Sequence, residues 1–201
     1  MRSGHRRAAC SVAALAATAL VAGCGGGEQS APQDRQGDLP APVSATVADP
    51  AAPESLTLAG QAAPTRPVKT DASGALLPPQ NVAELGWWAD SALPGSGAGT
   101  VVITGHIDEA DQGDGFAKRF TALHRGDEVT LHTAGDQSVS YRVGEVQTVN
   151  KDGGLPVERL NRLDGPETLA LVTCGGPFVG PPLGYRDNIV VWASPESATR
   201  S

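Results

Sequence analysis

The sequence predicts a mostly β protein folded as a small closed or nearly closed barrel with two short helices. Three observations carry this. Apolar residues fall in short runs, either at a period of two or in unbroken stretches of five or six, the patterns of half-buried and fully buried strands. Helical spacing is confined to two brief segments. Glycine and proline, 25 and 16 of 201 residues, punctuate the chain at turn-length intervals, and many short strands so punctuated suit a barrel.

Strands are expected at 56–58, 101–104, 128–132, 138–149, 168–173 and 188–193. The 138–149 run carries Tyr141, Val143, Val146 and Val149 partly on a period of two, with a bend or bulge at Gly144. Val68-Lys69 and Ala75-Leu77 flank Asp71-Ala-Ser-Gly74, a turn-rich tetrad that can join a short pair. Phe116, Phe120 and Leu123 stand at helical spacing and predict a helix over 116–123. A second helix is predicted over 157–163, entered through Pro156.

The N-terminal region predicts an address outside the cytoplasm. Arg2, Arg6 and Arg7 precede an Ala-rich apolar stretch over 8–21 that is too short to span a bilayer comfortably. The segment ends Val21-Ala22-Gly23-Cys24, which resembles a bacterial lipobox. The expectation is therefore a signal peptide over 1–23 and a lipid-bearing Cys24 at the extracytoplasmic face of the cell membrane. Residues 24–53 read as a disordered linker rich in Gly, Pro, Ala, Ser and acid; about 30 such residues reach roughly 30 Å. One domain is expected over 54–194, and a disordered tail over 195–201.

Formal charge is −7 for the whole chain, and the first 23 residues hold three Arg and no acid, so the mature chain is more negative still. That argues against a nucleic-acid-binding surface. The histidines downstream of the signal, at 106, 124 and 132, are scattered, and no cluster has metal-ligand spacing. Neither metal nor cofactor is expected.

Of the three cysteines, Cys10 lies in the signal, Cys24 is assigned to lipid, and Cys174 remains as a free thiol. In an oxidising compartment such a thiol is either buried and inert or kept for its reactivity. Its setting favours chemistry. Cys174 ends the apolar run Thr168-Leu-Ala-Leu-Val-Thr-Cys174, and Arg186 stands just before the strand Asn188-Ile-Val-Val-Trp-Ala193. If these strands pair as an antiparallel hairpin, thiol and guanidinium share one edge. His106 ends Val101-Val-Ile-Thr-Gly-His106. Cys, His and Arg at strand ends are the components of a cysteine acyl-transfer site. Arg186 is also placed to pair with Asp187. Asp108 is a candidate to orient His106 or a plain turn acid, His124 reads as a turn residue, His132 as solvent-facing, and Trp87 and Trp88 as core and rim packing.

Thr104-Gly-His106-Ile-Asp108, Leu171-Val-Thr-Cys174-Gly-Gly-Pro177 and Tyr185-Arg186-Asp-Asn188-Ile-Val-Val, with Gly86-Trp-Trp88 and Gly126-Asp-Glu-Val129, resemble a sortase of the class F type found in Gram-positive bacteria. The likeness covers most of 54–194. It implies an eight-stranded β-barrel and a catalytic Cys174, His106 and Arg186. It implies cleavage of a C-terminal Leu-Pro-x-Thr-Gly-like sorting signal between Thr and Gly, through a thioester. The acyl group would pass to an amine, usually of the peptidoglycan precursor. Thr173 would help position substrate. The Gly- and Pro-rich segment 175–185 reads as a loop without charge that carries Phe178, Val179 and Leu183, so Phe178 and Leu183 are expected to form an apolar wall for the Leu-Pro part. The alternatives are a cysteine peptidase that delivers the acyl group to water and a non-catalytic lipoprotein binding module.

Overall fold

In a computed structural model the described residues are 39–196. The expected signal peptide, Cys24 and the tail beyond residue 196 lie outside them.

Eight strands close a barrel: β1 (Pro53–Leu58), β2 (Gln61–Lys69), β3 (Leu85–Trp88), β4 (Thr100–Thr104), β5 (Glu128–Thr133), β6 (Ser138–Asn150), β7 (Thr168–Gly180) and β8 (Gly184–Pro195). Around the barrel the order is β2-β1-β5-β6-β8-β7-β4-β3, and a β2–β3 pairing completes the ring. Closure removes the free edges that an open sheet would expose. Two pairings are parallel, β4 with β7 and β2 with β3. The rest of the ring is antiparallel.

The pleat sorts side chains into two cores. Val101, Ile103, Leu169, Leu171, Ile189 and Val191 point inward and pack with Leu56, Trp87, Phe120 and Tyr141. Each such buried side chain contributes on the order of 1.5–3 kcal/mol of transfer free energy. The alternate residues Val102, Ala170, Val172, Val190 and Trp192 form a second cluster on the outer face. Leu160 covers it from the single-turn helix α1 (Val157–Leu160). Arg159 of that turn lies over the Trp192 ring, with its guanidinium carbon 3.7 Å from the centroid. A sheet buried on both faces explains why 168–173 and 188–193 read as unbroken apolar runs.

Glu167, just ahead of β7, is a buried carboxylate. It accepts from Gly95 N (2.9 Å), Gly97 N (2.6 Å) and the Tyr141 hydroxyl (2.6 Å). Gly95 and Gly97 both have positive φ, 75° and 78°, a conformation open to glycine at little strain, and it lets both amides face the carboxylate. Burial, and then the Glu167 hydrogen bond and charge, hold the Tyr141 phenol far above its ordinary value.

Several expectations change. The folded part starts before residue 54: Val43–Ser44 pairs with β2, and Gln80 Nε2 donates to the Leu39 carbonyl. At the other end Pro195 belongs to β8, and Glu196 pairs with Arg142. Strand β2 runs nine residues through Pro64 and Pro67, where only 68–69 were expected. The proposed partner 75–77 is reduced to one bridge, Thr70 to Leu76, although the Asp71 turn forms, with Oδ1 accepting from Ser73 N and Ala75 N. The 116–123 helix is a 3-10 helix over Phe116–Ala122. The second helix stops at Leu160, not 163. The segment 175–185 is no loose loop, because β7 and β8 extend into it as far as the Gly180–Gly184 pair.

Candidate active site

Two strands, β7 and β8, and the segment that follows β4 carry the candidate residues on the outer face of the barrel. The parallel ladder places Thr104 beside Val172. Gly105 N then donates to the Val172 carbonyl (3.2 Å), and Thr173 Oγ1 donates to the Gly105 carbonyl (2.8 Å). One step further along the two chains come His106 and Cys174. On the other side Cys174 pairs with Asn188. Arg186 lies two residues before Asn188 and so on the same face of β8. These residues continue the outer series of Val172 and Val190.

The mount of His106 is built into the inner core. A Cβ on Gly105 would stand 2.6 Å from both Ala117 Cβ and Leu85 Cδ2, so only glycine lets the chain pass there. Gly115 approaches the His106 carbonyl in the same way. Its amide donates to the Ile107 carbonyl (2.9 Å), and the Phe116 amide to that of Val82 (2.8 Å), which fixes the 3-10 helix under the histidine.

The imidazole is half-buried, and its Nε2 is shielded from solvent without a hydrogen-bond partner. Burial pushes the His106 pKa below its ordinary value of 6.5; the Pro78 carbonyl and the Glu109 carboxylate pull it up by less. The ring is therefore neutral at neutral pH and available as a base. A depressed folded-state value means that the unfolded chain takes up this proton first as pH drops. The contribution to stability is complete above 6.5 and is lost as pH falls through the folded-state value. His106→Gln is expected to flatten the fall of Tm between about pH 7 and pH 5, read by thermal melts. An unchanged slope would contradict this.

Cys174 is half-buried and is the free cysteine among the described residues. Arg186 is half-exposed, and its Nε and Nη2 donate to Asp187 Oδ1 and Oδ2, both at 3.2 Å. Arg186 thus takes the pairing with Asp187 that its place in the sequence offered. That bond, with the Asp187 charge, raises the guanidinium pKa. Asp187 itself is buried and also accepts from Asn150 Nδ2 (3.1 Å).

Thr173 is 3 % exposed and its hydroxyl donates to the Gly105 carbonyl, so it braces the histidine segment. Phe178 and Leu183 are exposed apolar side chains, at 64 % and 41 %, on the β7–β8 hairpin beside the site. Phe178 packs edge to face on Tyr185, centroids 5.3 Å apart, and Lys151 Nζ donates to the Leu183 carbonyl (3.1 Å).

Asp108 does not orient His106. It accepts a short hydrogen bond from the Tyr185 hydroxyl, which joins the short ribbon Asp108–Glu109/Gly113–Asp114 to the hairpin. That bond is the main reason the Tyr185 pKa is pushed up to about 12, with smaller contributions from burial, the Asp108 charge and the nearby Cys174 and Asp114. Tyr185 and Asp108 stand 77 residues apart, and only their presence in motifs beside the nucleophile and the histidine hinted at a joint role. His124 is a turn residue, its amide held by Asp127 Oδ2 (2.8 Å). His132 faces solvent less than expected: its ring nitrogens lie 3.0 Å from Thr57 Oγ1 and 2.8 Å from Ser138 Oγ. Trp87 is core, and Trp88 packs on the outer cluster. No group of three or more acidic, His or Cys side chains suited to a metal occurs among the described residues.

A family model described as a sortase domain matches residues 62–196, most of the barrel. No curated protein matches the chain. Among solved structures, sortase C-1 from Actinomyces oris aligns with TM-score 0.55 and 18 % identity over 71 % of this chain and 73 % of that one. The pilus-related sortase C of Group B Streptococcus gives 0.55 and 16 % over 76 % and 70 %. A lid mutant of sortase A from Corynebacterium diphtheriae gives 0.52 and 20 % over 71 % and 69 %. At these identities the structures show a shared barrel. With the domain match running through both the His106 and the Cys174 strands, the chain belongs to the sortase family of transpeptidases.

Proposed function

We propose that this chain is a cysteine transpeptidase of the extracytoplasmic membrane face, of the class F type. It would cleave a Leu-Pro-x-Thr-Gly-like sorting signal and transfer the acyl group to a cell-wall amine. The observation that supports the reading is the register of β4 and β7, with the Thr173–Gly105 bond joining the residues just before Cys174 and His106.

In this reading the Cys174 proton passes to the neutral His106 imidazole, and sulfur bonds to the Thr carbonyl carbon. The carbonyl becomes an oxyanion, for which the Arg186 guanidinium is a permanently charged donor. The Thr–Gly carbon–nitrogen bond then breaks, and the imidazolium proton goes to the leaving amine. A thioester remains on Cys174. The incoming amine gives a proton to His106, forms the new amide bond and releases the thiol. If water takes the amine's place, the same site is a peptidase.

The experiment incubates the mature chain with a Leu-Pro-x-Thr-Gly peptide, with and without oligoglycine. Cleavage with a mixed product in the presence of amine is expected. Hydrolysis alone would favour the peptidase, and no thioester over a peptide library would favour the binding module. Such work should keep residues 39–53, which belong to the fold. Anchoring through lipid on Cys24 is part of the proposal, tested by fatty-acid labelling of the exported chain.

Phe178 and Leu183 are proposed as the apolar wall for the Leu-Pro part of the signal. Replacing both with Ser is expected to raise KM about tenfold or more with a smaller change in kcat, since covering one such side chain is worth about 1.5–3 kcal/mol. An unchanged KM would remove the wall.

A further inference from the structure

We infer that Asp187 is a positioning residue for Arg186, holding one edge of its guanidinium so that the other edge serves the reaction. The inference rests on the proposed role of Arg186 as the oxyanion donor.

Asp187 is 4 % exposed, a rare state for a carboxylate and one that needs partners. Its partners are Arg186 Nε at 3.2 Å, Arg186 Nη2 at 3.2 Å and Asn150 Nδ2 at 3.1 Å. The pair is thus two-pronged and uses the Nε–Nη2 edge of the fork. A guanidinium has five N–H donors. Two go to Asp187, which leaves both hydrogens of Nη1 and one of Nη2. Those three form the opposite edge, planar and unable to lose its charge.

The backbone is shaped for this contact. Asp187 pairs with Gly175, the residue after the nucleophile, and the ladder then shifts so that Gly176 and Pro177 stand opposite Arg186. Gly176 has φ of 72°, and a Cβ on it would overlap Asp187 Oδ2. The second glycine after Cys174 therefore makes room for the carboxylate. On the far side Asn150 ends β6, in register with Asp187. The carboxylate is thus clamped between two strands.

A free Arg side chain on an exposed rim samples many rotamers, and an oxyanion donor acts well only when its geometry is set in advance. The bond to Asp187 removes part of that freedom. Because an oxyanion forms only as the reaction proceeds, loss of this positioning should appear in kcat and leave KM nearly alone.

The test compares the mature wild-type chain with Arg186→Ala, Asp187→Asn and the double variant. The readouts are kcat and KM on the cleaved sorting-signal peptide and the Arg186 Nε–H signal by NMR. Asp187→Asn is expected to lower kcat about 10- to 100-fold with KM within about twofold, and to speed solvent exchange of the Arg186 Nε–H. Adding Asp187→Asn to Arg186→Ala should cost no more than about twofold further, since the two act as one unit. Full activity in Arg186→Ala would overturn the oxyanion role itself and this inference with it. An inactive Arg186→Ala together with an unimpaired or faster Asp187→Asn, or with losses that simply multiply in the double variant, would overturn the inference alone. Melting curves of each variant separate these outcomes from unfolding.

Discussion

Cys174→Ala is expected to lower acyl transfer by at least about 10⁴-fold while the barrel stays folded, in line with the loss seen when a covalent nucleophile is removed. No neighbouring side chain can take over, because the residues around Cys174 in the ladder are Thr173, Gly175 and Asn188, and the Thr173 hydroxyl is committed to Gly105. The sulfur is half-buried on the outer face, beyond the packed row of Val172 and Val190, so its loss opens no enclosed cavity and should change stability by about 1 kcal/mol or less. Cys174→Ser should fall nearly as far, since a hydroxyl at this pH is a far weaker nucleophile than a thiol. Peptide cleavage and trapped thioester, both by mass spectrometry, give the measurement. Activity above about one per cent in Cys174→Ala would exclude covalent catalysis at this residue.

The largest expected loss of stability is at Glu167, far in kind from the chemistry. Glu167→Ala leaves two glycine amides and the Tyr141 hydroxyl without their acceptor. Hydrogen bonds to a charged acceptor contribute about 1.5–3 kcal/mol each, and relief of burying the charge offsets part of their sum, so a net loss of about 3–5 kcal/mol is expected. In a domain of this size that is a drop in Tm of about 6–20 °C. Glu167→Gln keeps the shape but faces the amides with a donor at one position, and should lie between. Tyr141→Phe, which removes one bond and keeps the ring in the core, should lose about 1.5–3 kcal/mol. A Glu167→Ala melt within about 2 °C of wild type would mean that water replaces the carboxylate.

The strands that alternate or form unbroken apolar runs were legible because burial on one face or two leaves a direct trace in the letters. Strand β2 left a misleading trace: Pro64 and Pro67 argue against a strand, yet both lie in its ladders, with Pro64 against Ser55 and Pro67 against Trp87. Strand β3, four residues long, is too short for periodicity to register. The glycines and prolines of 175–184 suggested a loop, where they mark shifts of register within a long hairpin. Within the site, Cys174, His106 and Arg186 were readable because each sits where an apolar run stops. The contacts that set their geometry were not readable. The pairing of Tyr185 with Asp108 and the brace from Thr173 to Gly105 join residues 77 and 68 positions apart, and nothing local encodes them. Asp187 was visible as a neighbour of Arg186, but its burial depends on Gly176 and Asn150 across two different ladders.

The parallel union of β4 and β7 sets the order in which this protein can become active. Two strands running the same way cannot be joined by a tight turn, so everything from the ribbon after His106 to the end of α1 lies in the loop that this ladder closes. Until then the segments that carry Cys174 and His106 are not held together. An unfolded chain therefore lacks the site through which the proposed reaction would run, and gains it only when its last two strands have docked.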